Sequence, residues 1–159
     1  MRSILDFPSM EGLGHNNEEH DMRLWIDTEF NEYKGELISM ALVGEDGREW
    51  YEVLRMTERP GPWVDEHVMP ILGKAPIPRQ QAQSSLFAWL RDYPSVHIVA
   101  DWPEDIQHFC ELLITGPGER IDTPILTMEV RRDIGSDDSA MPHNALEDAR
   151  ALRRAELGA

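Results

Sequence analysis

Cysteine is nearly absent: Cys110 is the single one in 159 residues. One thiol cannot close an intrachain disulfide, and a cysteine-rich zinc site is excluded. Basic residues are scarce as well, with 15 Lys and Arg against 30 Asp and Glu, a formal net charge of −15. That balance argues against a broad cationic surface holding nucleic acid. No apolar run approaches the roughly 18 residues that a membrane span needs. The first 22 residues also lack a basic start followed by an apolar stretch, so no secretory signal is read there. A reducing cytoplasm is the expected setting. Low-complexity tracts and internal repeats are absent too.

What remains is an ordinary globular composition, 41% hydrophobic and 28% charged, with enough length for one domain with a real core. Residues 1–21 have no clear hydrophobic period. Gly12, Gly14, Asn16 and Asn17 interrupt any helix there. This segment is expected to be a flexible leader or an extension, with the folded domain over residues 22–159.

Three strand-like runs follow, Met22 to Asp27, Glu36 to Val43 and Glu49 to Leu54. Glu45-Asp46-Gly47-Arg48 between the last two reads as a hairpin turn. A short helix is expected at Trp63–Val68, limited by Pro70, and a longer one over Gln80–Tyr93. Val96 to Ala100 reads as a strand. Pro103 then opens a helix with Ile106, Phe109, Cys110 and Leu113 at helical spacing. Gly116-Pro117-Gly118 stops it. Pro124 to Val130 is a fifth strand and Asn144 to Leu157 a last helix. The order predicts an α/β protein with a mixed five-stranded sheet flanked by helices.

Carboxylates stand out within this frame. Asp27 and Glu29 lie two apart at the end of an apolar strand, and therefore on one face. Such neighbours repel, and a divalent cation between them is the usual remedy. A strand ending in solvated acids is the plainer reading. Asp101-Trp102-Pro103-Glu104-Asp105 joins a strand end to a helix start. Ligand sites gather at such places, although helix capping also accounts for these acids. His143 and Asp148 flank the start of the last helix. They converge if the loop folds back, and His143 then suits a general base. A solvated cap histidine and an exposed aspartate are the alternative.

Asp27-Thr28-Glu29-Phe30, Asp105, and His143 with Asp148 together resemble the three motifs of the DEDDh branch of the DEDD 3′–5′ exonuclease superfamily. Where the second motif commonly carries asparagine, four residues before its aspartate, this chain has Asp101. That adds a negative charge and makes Asp101 the alternative ligand to Asp105. A narrower resemblance covers about Met22 to Glu156. It rests on Glu36-Leu37-Ile38-Ser39, Glu45 to Tyr51, Trp63-Val64, His67 to Pro70, Arg79-Gln80-Gln81 and His143 to Arg150. These segments are similar to the small polyadenylate-specific exoribonucleases of the mycobacterial ribonuclease AS type.

The resemblance implies a ribonuclease H-like fold and hydrolysis of single-stranded RNA from its 3′ end to nucleoside monophosphates. It implies two magnesium ions, with manganese as a substitute, and a homodimer. Asp27, Glu29 and Asp148 would hold one ion, Asp27 would bridge to the second, Asp105 would complete the set, and His143 would be the base. Thr28, Phe30 and Trp102 are candidate substrate contacts: Thr28 through its backbone amide, the two aromatics by stacking. Core packing is the other reading of Phe30. Trp25, Trp50, Trp63 and Trp89 are expected in the core or an interface, and His67 and His108 in structural roles. Two other functions stay open: a proofreading-type DNA exonuclease, and a non-enzymatic acidic protein that mimics nucleic acid or docks on a basic partner.

Overall fold

Period-two alternation sets the first strand. Leu24, Ile26 and Thr28 alternate with Trp25, Asp27 and Glu29 along β1, Met22–Phe30. The computed structural model describes residues 20–158. The expected leader thus lies outside the described residues, apart from His20 and Asp21, which run directly into β1.

β2 (Leu37–Gly44) is buried along its whole length, and β3 (Glu49–Val53) returns beside it. Gly47 closes the turn between them at φ 84°, a left-handed conformation that glycine adopts without strain. The expected strand at Met22–Asp27 is longer than predicted: it continues to Phe30, with a register irregularity between Glu29 and Phe30.

Helix α1 (Pro62–His67) begins on a proline and passes into a single 3-10 turn, Met69–Ile71. Helix α2 spans Arg79–Leu90 and stops short of the predicted Tyr93. Tyr93 precedes Pro94, whose ring disfavours helical backbone in the residue before it. β4 (Ser95–Ala100) leads into α3 (Pro103–Leu113). The buried face of α3 includes Asp105, His108, Phe109, Leu112 and Leu113. It is rotated from the apolar stripe through Ile106 and Cys110, so it carries a carboxylate inward. A small hairpin of β5 (Ile114–Gly116) and β6 (Glu119–Arg120) forms where only a helix stop was expected. β7 (Ile125–Val130) and α4 (Ala145–Leu157) complete the chain.

The main sheet has the order β3-β2-β1-β4-β7. β2 runs antiparallel to its neighbours β1 and β3, and β4 and β7 run parallel to β1. Leu86 and Leu90 of α2 and Phe109 and Leu112 of α3 pack with Leu24, Ile26, Met40, Leu42 and Ile98 in the main core. Trp25, Val99 and Leu152 meet in a separate cluster, and Ala145 and Ala149 pack on Ala41 and Val43. Helix α4 therefore covers the opposite face. This is the expected α/β architecture, a five-stranded mixed sheet flanked by helices in a ribonuclease H-like fold. Among the described residues no helix is long and apolar enough to cross a membrane.

One detail positions the site. β1 pairs with β4 only from Met22 to Trp25, while it follows β2 to Phe30. Past Trp25 the β4 side of β1 is open, and the β4–α3 connection turns in there.

Candidate metal centre

Asp27 and Glu29 stand opposite Ala41 and Ser39 of β2, on the sheet face that α4 covers. Asn144 caps α4 by accepting a hydrogen bond from the Glu147 N–H at 3.1 Å. Ala145, Ala149 and Leu152 then face the sheet, and Asp148 in the first turn is carried inward with them. One oxygen each from Asp27, Glu29 and Asp148 lies within 4.8 Å of the others.

A second group forms around the open edge of β1. Asp101 follows β4 directly, and Asp105 lies in the first turn of α3. One oxygen each from Asp27, Asp101 and Asp105 also lies within 4.8 Å of the others. Asp27 belongs to both groups. Asp101 and Asp105, read from sequence as alternatives, converge together.

Little positive charge offsets these acids. The Asp27 carboxyl is raised well above its ordinary range, first by burial and then by repulsion from Asp105, Glu29, Asp148 and Asp101. Burial, then Asp148 and Asp105, push Glu29 up to about 8. Asp105 is pushed up to about 7 by burial, against the hydrogen bonds it accepts from Thr28. Asp101 and Asp148 are also raised, again mainly by burial. Asp27 Oδ2, Asp105 Oδ2 and Asp148 Oδ1 are buried and have no hydrogen-bond partner among the described residues. Buried polar atoms are rarely left so. An all-carboxylate set with unsatisfied inward oxygens fits hard divalent cations of the magnesium or manganese type.

His143 reaches the site through its backbone. Its N–H donates to Asp148 Oδ2 at 3.1 Å, so the loop does fold back on the helix start. The residue is exposed and sits at φ 71°, a left-handed conformation that few non-glycine residues adopt. Its ring meets the Trp63 indole edge-on, with centroids 4.9 Å apart. Trp63, expected in the core or an interface, is 49% exposed. Nothing in the sequence linked it to His143; only the spacing of Trp63 and His67 pointed to a ring contact.

The candidate substrate contacts lie at the margins. Thr28 spends its amide on Asp105, at 3.1 Å, and its hydroxyl on the same oxygen at 2.6 Å. The Phe30 ring is half-buried against His108, with centroids 4.9 Å apart. Trp102 is exposed, with the Arg132 guanidinium 5.2 Å from its ring centre. Phe30 and Trp102 stand next in the chain to Glu29 and Asp101 but outside both carboxylate groups. Trp25 and Trp50 are buried, Trp89 is partly so, and His108 is buried on α3.

Fold and site together define a ribonuclease H-like α/β protein with an acidic centre where its middle strand outruns a parallel neighbour. No protein-family model matches the chain. It is similar to the 3′–5′ exoribonuclease of Mycobacterium tuberculosis strain H37Rv, and to that of strain CDC 1551. Each is 37% identical over 161 aligned positions, covering 86% of this chain and 92% of the relative. The chain belongs to the 3′–5′ exonuclease family that these proteins represent.

Proposed function

We propose that this protein is a metal-dependent 3′–5′ exoribonuclease of the DEDDh kind, shortening single-stranded RNA and releasing nucleoside monophosphates. The carrying observation is the pair of carboxylate groups that share Asp27 and leave inward oxygens unsatisfied. The names of the two relatives support RNA as the substrate.

Asp27, Glu29 and Asp148 would hold one divalent ion, and Asp27, Asp101 and Asp105 the other. Bound there, the ions would neutralise the acids, acidify the attacking water and stabilise the leaving 3′ oxygen. His143, tethered to Asp148 by its N–H, accepts the water's proton on an imidazole nitrogen. Thr28 keeps Asp105 oriented. Trp102 and Phe30 border the acids and offer ring faces to bases. Net charge −15 leaves little room for a broad electrostatic grip, so binding depends on the centre and these aromatics.

The test uses 5′-labelled single-stranded RNA and DNA of one sequence, with magnesium or with chelator. Expected is stepwise shortening of the RNA from its 3′ end, only with magnesium. Equal or faster shortening of DNA would favour a proofreading-type enzyme. Intact strands under all conditions would overturn the nuclease assignment.

A further inference from the structure

The contacts that fix His143 act on its backbone. Its N–H is held by Asp148, and the adjoining Asn144 Nδ2 donates to the Ile71 carbonyl at 2.9 Å. Neither sets the side-chain torsions, so an exposed imidazole held only by these contacts would sample several rotamers.

Trp63 supplies the missing restraint. Its indole meets the His143 ring at 85° between planes, the edge-to-face arrangement that aromatic pairs prefer. The indole has a second ring partner. His67, one helical turn on, stacks on it with centroids 4.6 Å apart and planes at 16°. The His67 Nδ1 lies 2.9 Å from the Trp63 carbonyl oxygen. Below the pair, Val64 and Val68 are buried against Ile38 and Val53, which seats α1 on the sheet. A short helix thus presents a half-exposed tryptophan to one exposed histidine, where core packing does not require it.

We propose that Trp63 is a positioning residue: it holds the imidazole of His143 in the orientation from which it takes the proton. The inference rests on the assignment of His143 as proton acceptor. It predicts that Trp63 acts on turnover rather than on affinity for RNA, because a misdirected base leaves substrate binding intact.

The experiment compares the full chain with Trp63→Ala, Trp63→Phe and His143→Ala. In Trp63→Ala, kcat should fall roughly 10- to 100-fold, the range for small misplacements of reacting groups. KM for single-stranded RNA should stay near its original value. Trp63→Phe keeps a ring edge and should recover most of the turnover. Side-chain NMR resonances of His143, assigned with His143→Ala, should carry an aromatic ring-current shift that Trp63→Ala removes, without RNA present. Unchanged kcat in Trp63→Ala would overturn the proposal. So would a raised KM at constant kcat, which would make Trp63 an RNA contact, or His143 resonances indifferent to Trp63. Wild-type protein without magnesium-dependent hydrolysis would sink the exonuclease reading instead, while the resonances still report whether Trp63 orients the ring.

Discussion

Thr28 and Asp105, 77 residues apart, are joined twice at one oxygen, by the Thr28 hydroxyl at 2.6 Å and its N–H at 3.1 Å. The pair links β1 to α3 across the gap beyond the end of β4. It also leaves Asp105 Oδ2 as the oxygen free to face Asp27 and Asp101.

Thr28→Val keeps the shape and deletes one donor to a buried carboxylate. Hydrogen bonds to charged groups contribute about 1.5–3 kcal/mol, so chelator-treated protein at pH 8 should lose stability of that order. Thr28→Ser should lose much less. Denaturant melts of the three proteins check this, and equal midpoints would refute it.

Asp27→Asn removes one of five mutually repelling acids and the member common to both groups. Metal-free protein should become more stable at pH 8, while exonuclease activity falls by at least about 10²-fold. Asp148→Ala should be equally inactive, and it also removes the acceptor for the His143 N–H. Thermal melts in chelator and RNA shortening assays report the two effects separately. Near-normal activity in either variant would end the metal-centre assignment.

The raised acids make stability depend on pH in a defined direction. Glu29 rises from 4.5 to about 8 and Asp105 from 3.8 to about 7. Between these limits the folded chain holds protons that the unfolded chain has released, so metal-free stability falls as pH increases from about 4 to about 8. Divalent cations compete with those protons for the same oxygens. Magnesium should therefore raise Tm more at pH 8 than at pH 5, and Asp27→Asn should abolish most of that increase. A larger response at pH 5 would contradict the site.

His143→Ala should lower kcat by about 10²–10⁴-fold, the usual contribution of a general base. The magnesium-dependent rise in Tm should persist, since the imidazole is not among the carboxylate groups. An unchanged rate would remove the base role.

Much of the centre was legible because it depends on local geometry. Alternation along β1 puts Asp27 and Glu29 on one face whatever the rest of the chain does. Asn144 to Leu157 reads as the last helix and so puts Asp148 near its start; the structure places Asp148 in the first turn, behind the Asn144 cap. What escaped depends on contacts distant in sequence. Asp101 and Asp105 looked like alternatives because nothing local shows that a loop and a helix turn converge on the Asp27 carboxylate. The strand appeared to end at Asp27 because the pairing that carries it to Phe30 belongs to β2. β5 and β6 were too short for any period to register. Trp63 read as a core or interface residue, because apolar composition does not reveal which face of a short helix stays open.

By itself, then, the sequence determined the α/β order of the main elements, the shared face of Asp27 and Glu29, and the last helix bearing Asp148 near its start. These follow from backbone periods of 2 and 3.6 residues, which act within a few residues. Only the tertiary structure decided that β4 stops short of β1, and that five carboxylates gather in two groups sharing Asp27. It also decided that Trp63 meets the ring of His143. Those outcomes arise from strand register and helix packing, which residues far apart in the chain settle together.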